Sequence, residues 1–124
     1  MNTFFCKNRF FFQKSKIRDP YTKRFYELDL ETRNSLYEVK MQMMLMPGSI
    51  GEKIPNVPFK YCEVPDAHGK PIKVIGIARI EEALEKSGIF PGENQTPGKK
   101  EYVVFWKKKG FTFHRMSTLL SKLK

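Results

Sequence analysis

Histidine and cysteine, the side chains that most often bind transition metals, are scarce in this chain of 124 residues. The chain has two histidines, His68 and His114, and two cysteines, Cys6 and Cys62, and none of them has the spacing of a zinc or CxxC redox motif. It also has no apolar run close to the roughly 20 residues of a membrane-spanning helix. The sequence therefore predicts no disulfide scaffold, no transmembrane segment, no metal site and no cofactor.

Recognisable catalytic motifs are missing as well. The stretch 48–51 has two glycines but lacks the Lys-Ser/Thr pair that completes a phosphate-binding loop. Cys62 has no helix start or partner motif beside it, so it is interpreted as structural. The sequence predicts that the protein is not an enzyme, and a small enzyme without a recognisable motif is the least favoured alternative.

Acidic residues are nearly absent from the two ends of the chain. Residues 1–18 hold five basic and no acidic side chains, and residues 99–124 hold eight basic and one acidic, within a net charge of +10. The middle is balanced, so the excess charge is concentrated at the ends. This segregation indicates a polyanionic partner: RNA, an acidic protein face or an anionic lipid surface.

The first end is also rich in phenylalanine. Residues 1–19 are predicted to be a basic, aromatic arm that resembles a mitochondrial targeting segment and is retained to anchor the protein in an assembly. An N-terminal edge strand is the alternative. The residues predicted to anchor the arm are Phe4, Phe5, Lys7, Arg9, Phe10, Phe11, Phe12, Lys14, Lys16 and Arg18.

Residues 20–124 are predicted to form a single α+β domain with antiparallel hairpins, in the order helix, hairpin, helix, hairpin, short helix. Asp29 is interpreted as the cap of the first helix, and Gly88 as the end of the second. The predicted elements are a helix over 30–46, strands over 57–64 and 72–78 around a turn at 65–69, a helix over 80–86, strands over 102–106 and 111–114, and a short helix after Ser117.

The last hairpin is the predicted binding element. Its tip carries Lys107, Lys108 and Lys109, which suit contact with phosphate, and Lys99, Lys100 and Arg115 are the other predicted polyanion-binding residues. Tyr102, Trp106 and Phe111 are the predicted aromatic contacts.

These features together favour a non-catalytic structural subunit of a large mitochondrial assembly, in or facing the matrix. A ribosomal protein that contacts ribosomal RNA through its basic ends is the first hypothesis. A peripheral accessory subunit of a respiratory-chain complex or ATP synthase is the alternative.

Overall fold

The computed structural model describes residues 13–41, 54 and 56–122. Over these residues the elements are, in chain order, β1 (Gln13–Arg18), β2 (Phe25–Glu31), β3 (Leu36–Met41), α1 (Val57–Lys60), α2 (Val64–His68), β4 (Ile72–Ile77), α3 (Arg79–Ser87), α4 (Pro97–Lys108), β5 (Phe111–Arg115) and α5 (Met116–Lys122).

The five strands form one mixed sheet in the order β1-β2-β3-β4-β5. The β1–β2 and β2–β3 pairs are antiparallel, whereas the β3–β4 and β4–β5 pairs are parallel. The α+β class is therefore confirmed, but the sheet is half parallel, because helices connect β3 to β4 and β4 to β5.

The core lies on one face of the parallel half. Leu36, Ile72 and Phe111 are side by side across β3, β4 and β5, and all three are buried. Since side chains alternate along a strand, Glu38 and Val74 occupy the next position on this same face. A glutamate thus takes a place in an otherwise apolar row.

The predicted helix over 30–46 is wrong for its described part. Residues 30–41 instead contain the end of β2, a turn and β3. The turn is closed by Thr32, whose backbone N–H donates to the Ser35 carbonyl at 2.8 Å and whose side-chain oxygen accepts from the Ser35 N–H at 3.1 Å. Residues 42–46 lie outside the described part of the chain.

The predicted strand over 57–64 and turn over 65–69 are also wrong, since α1 and α2 occupy this region. Pro58 and Pro65 each stand in the first turn of one of these helices, where a missing N–H costs nothing. Gly69 ends α2 in the left-handed conformation with φ 79°.

The predicted strand over 102–106, and with it the last hairpin, is replaced by α4. Thr96 caps this helix by accepting the Lys99 N–H at 3.4 Å, and Pro97 follows at a position that favours helix starts. The alternation of Tyr102, Val104 and Trp106 suggested a strand, but the Thr-Pro start signal decides the outcome.

Other predicted elements are confirmed. They are the strand β4, the helix α3 with Gly88 at its end, the strand β5 and the final helix α5. The predicted arm over 1–19 is not confirmed: residues 1–12 lie outside the described residues, and Gln13–Arg18 pair with β2 as a strand at one edge of the sheet. No helix among the described residues has the length and apolarity to cross a bilayer.

Candidate functional site

The lysines predicted at a hairpin tip lie on α4. Lys107 and Lys108 are exposed in its last turn, and Lys109 follows them, with its Nζ 5.7 Å from the centre of the Phe105 ring. Lys99 and Lys100 are in the first turns of the same helix, about 12 Å away along its axis. The two basic groups are therefore at opposite ends of one helix, and not on one compact point.

Arg115 and the predicted aromatic contacts are engaged within the domain. The Arg115 guanidinium stands 4.0 Å from the centre of the Phe90 ring and 3.6 Å from a Glu85 oxygen. Phe111 is 1% exposed, and the half-buried Trp106 packs edge-on against it with ring centres 5.6 Å apart. Tyr102 packs on Trp106 in turn. Phe111 is thus a core residue and not a contact for a partner.

The predicted anchoring residues are only partly within the described structure. Lys16 and Arg18 are exposed on β1, with their cationic groups 4.9 and 5.7 Å from the centre of the Phe25 ring. The side chain of Lys14 and all of Phe4, Phe5, Lys7, Arg9, Phe10, Phe11 and Phe12 lie outside the described residues.

A different cluster stands where β2 and β3 meet. The paired residues of these strands are Leu30 with Tyr37 and Glu31 with Leu36. Next to the first pair, a carboxylate oxygen of Asp29 accepts the Val39 backbone N–H at 2.7 Å. A side chain thus takes the place of a backbone acceptor, and the half-buried Asp29 carboxylate is close enough to Glu38 to raise the pKa of Glu38.

Glu38 is the most constrained member of this cluster, with 6% of its surface exposed. Its Oε2 accepts the Tyr61 hydroxyl at 3.1 Å and lies 3.2 Å from the Lys40 ammonium. Its Oε1 is buried and has no hydrogen-bond partner among the described residues. Buried polar atoms are nearly always paired, so this oxygen calls for an explanation.

The electrostatics of the cluster follow from burial. Burial raises the pKa of Glu38; the Lys40 ammonium acts against this, and the Asp29 carboxylate adds to it. Burial, followed by the negative charge of Glu38, raises the pKa of Tyr61 as well, so its hydroxyl stays a neutral donor. Asp29, Glu38 and Lys40 are called the β2–β3 cluster below.

The β2–β3 cluster has the side chains to bind a hard cation. Carboxylate oxygens are the ligands that Mg²⁺ prefers, and Mg²⁺ is often held by only one or two carboxylates with water and substrate oxygens. No group of three or more His, Cys, Asp or Glu side chains suited to a metal occurs among the described residues, so two protein carboxylates are what the cluster offers.

Comparison with known proteins gives no parallel for this arrangement. No protein-family model, curated protein or solved structure matches the chain. The candidate function therefore follows from the residues of this chain alone.

Sequence reasoning missed the β2–β3 cluster because it placed residues 30–46 in a helix. In a helix, Glu38 and Lys40 would face different directions, whereas on a strand the Glu-Val-Lys order puts both on one face. The available signal was this spacing within Leu36-Tyr37-Glu38-Val39-Lys40, an alternating stretch preceded by Asp29 on the neighbouring strand.

Proposed function

We propose that the protein is a Mg²⁺-dependent phosphodiesterase that acts on nucleic acid, with Asp29 and Glu38 as cation ligands. The observation that carries the proposal is the buried, unpaired Oε1 of Glu38 beside Asp29 and Lys40. This proposal departs from the interpretation as a non-catalytic protein, because the sequence alone did not bring these three residues together.

The β2–β3 cluster is costly without a cation. An ionised carboxylate loses solvation when it is buried, and a second carboxylate beside it adds repulsion. Lys40 supplies one positive charge against two carboxylates, and burial keeps the pKa of Glu38 raised despite it. A divalent cation would more than offset the remaining negative charge and give Oε1 of Glu38 a partner.

The reaction proposed for the β2–β3 cluster is phosphodiester hydrolysis. When bound, the cation supplies Lewis acidity toward a phosphate oxygen and orients the attacking water. The water oxygen forms a bond to phosphorus, the bond from phosphorus to one sugar oxygen breaks, and that oxygen takes up a proton while the attacking water loses one. Lys40 donates hydrogen bonds to the negative charge that develops on the phosphate, and Tyr61 holds Glu38 in place.

The substrate class follows from charge. A chain with net charge +10 attracts polyanions, and nucleic acid is the polyanion that carries phosphodiester bonds. The basic residues of α4 and β1 would contribute to affinity, while the β2–β3 cluster would act on the bond.

The test is hydrolysis by the purified full-length chain. We expect cleavage of labelled single- or double-stranded oligonucleotides in about 10 mM Mg²⁺ and none in EDTA. Mg²⁺ should also raise the thermal midpoint, because a ligand with a Kd of about 1 mM adds about 1.4 kcal/mol at ten times that concentration.

A Lys40→Met variant separates this site from a contaminating nuclease. It should keep the Mg²⁺-induced stabilisation but lose most of the cleavage, since both carboxylates remain. Cleavage that persists unchanged in EDTA, or the absence of cleavage in Mg²⁺, would refute the proposed function.

A second candidate function is the non-catalytic structural subunit of a mitochondrial assembly, with a ribosomal protein ahead of a respiratory-chain or ATP synthase subunit. The supporting observation is α4, which places exposed lysines at both ends and the exposed Val104 and Phe105 between them. Such a basic helix with an apolar side suits an RNA, an acidic protein face or an anionic lipid surface.

The triple change of Lys107, Lys108 and Lys109 to Gln tests this second candidate. Exposed lysines contribute little to folding, so the free energy of unfolding should change by less than about 0.5 kcal/mol. If these lysines bind RNA phosphates, the slope of log K against log salt should fall by about 0.7–0.9 for each phosphate that is no longer neutralised. An unchanged affinity and slope for RNA would show that these lysines serve solubility alone.

A further inference from the structure

We infer that a groove between the β1–β2 turn and the α1–α2 segment binds single-stranded nucleic acid by stacking on unpaired bases. This inference rests on the proposed function for its link to cleavage, and it specifies the substrate of the β2–β3 cluster. The residues of the groove lining that carry the argument are Tyr21, Arg24, Phe25, Tyr26, Phe59 and Lys60.

Three aromatic rings around the groove are exposed to solvent. Tyr21 is 77% exposed, Phe59 76% and Phe25 56%. Three aromatic rings gathered at one groove form an apolar patch of the kind that marks a binding site. Because every base has an aromatic face, such rings can stack on successive bases whatever the sequence.

Hydrogen bonds to Asp19 hold the β1–β2 turn of the groove in place. One Asp19 oxygen accepts the backbone N–H groups of Tyr21 and Thr22 at 2.7 and 3.3 Å, and the other accepts the Tyr26 hydroxyl at 3.1 Å. The bond from the Tyr21 N–H is the main reason that the pKa of Asp19 is lowered. The Asp19 carboxylate is thus buried in fixing the turn that presents Tyr21.

Basic side chains in and near the groove complement the charge of a phosphate backbone. Arg24 and Lys60 line the groove, and the cationic groups of Lys16 and Arg18 lie 4.9 and 5.7 Å from the centre of the Phe25 ring, which also lines it. The lining thus holds two cations and two carboxylates, the internally bonded Asp19 and Glu63, and the two cations against Phe25 give the region its excess of positive charge. A duplex keeps its bases stacked inside, so the combination of cations and exposed aromatic faces favours a single strand.

Side-chain contacts link the groove to the β2–β3 cluster. Tyr26 lines the groove, and its ring meets that of the buried Tyr61 edge-on with centres 5.4 Å apart. Tyr61 in turn donates to Glu38. Two tyrosine rings thus lie between the groove and Glu38, and they connect the groove to the β2–β3 cluster.

The experiment measures binding without cleavage. Full-length protein in EDTA is titrated into labelled oligothymidylate and oligouridylate of about 12 nucleotides, and into a DNA duplex of equal length. Tyr21→Ala and Phe59→Ala should each weaken single-strand binding by roughly 5- to 150-fold and leave duplex binding unchanged. Comparison of the oligothymidylate and oligouridylate affinities shows whether binding depends on the sugar.

Leu120→Ala is the control, since Leu120 is an exposed apolar residue on α5, outside both the groove and α4. It should bind both oligonucleotides as the original chain does, and circular dichroism should show all variants folded. In the same titrations, Lys60→Gln should reduce the salt slope for single strands by about 0.7.

The outcomes separate this inference from the proposed function. If the Tyr21 and Phe59 variants bind single strands normally, or lose single-strand and duplex binding equally, stacking in the groove is refuted whatever the cleavage assay gives. If they lose single-strand binding selectively but the original chain cleaves nothing in Mg²⁺, the groove stands and the phosphodiesterase proposal fails.

Discussion

Replacing Asp29 with asparagine is expected to reduce Mg²⁺-dependent cleavage by about 10²- to 10³-fold, because a neutral amide is a poor ligand for Mg²⁺ and the loss corresponds to several kcal/mol in the transition state. The amide oxygen can still accept the Val39 N–H, so the junction between β2 and β3 should keep its geometry. The measurement is the initial rate on a saturating oligonucleotide, with thermal unfolding to verify folding.

Asp66→Asn provides the control for this prediction. Asp66 is an exposed carboxylate in the first turn of α2, so the change removes the same charge from the chain without touching the β2–β3 cluster. A rate that falls equally in both variants would assign the effect to overall charge. If the cleavage rate is unchanged in the Asp29→Asn variant, Asp29 is not a ligand of the cation.

Replacing Glu38 with glutamine is expected to raise stability while it abolishes cleavage. Burial raises the pKa of Glu38 above the usual carboxyl value of 4.5, so the folded state holds this proton at a pH where the unfolded state has lost it. The unfolded state then binds fewer protons, and the free energy of unfolding falls as pH rises from about 4.5 through the folded pKa. Glutamine has no such titration, and it keeps an oxygen for the Tyr61 hydroxyl.

The check is urea unfolding of both proteins between about pH 4 and 8 in EDTA. The advantage of the Glu38→Gln variant should appear above pH 4.5 and persist at neutral pH, and Mg²⁺ should reduce it by stabilising the original chain alone. A variant that is less stable at every pH would mean that the ion pair with Lys40 outweighs the cost of burial.

Elements whose local signals are unambiguous could be predicted from the sequence. The strand β4 has an apolar run rich in β-branched residues, and α3 has an apolar side followed by a glycine with φ 91°. The failures occur where two patterns compete. Residues 57–64 alternate like a strand, but Pro58 begins one helix there and Pro65, just beyond, lies in the first turn of the next.

The site was less predictable than the fold, for a physical reason. The β2–β3 cluster depends on a pairing between two strands and on a hydroxyl from Tyr61, which lies 23 residues beyond Glu38. Local propensity contains no information about such contacts. The basic character of the chain could be seen in the composition, but the grouping of lysines on α4 and of aromatic rings around Tyr21 depends on the turn and helix geometry.

The position of β3 between an antiparallel and a parallel half has a consequence for how the protein folds. The β1-β2-β3 part needs only contacts between chain neighbours, whereas β4 and β5 reach the sheet through helical crossovers and must close longer loops. The rate of folding should therefore be set by docking of β4 against β3. Glu38 becomes buried in that same step, since Val74 of β4 is its neighbour, so the slowest stage of folding also completes the site.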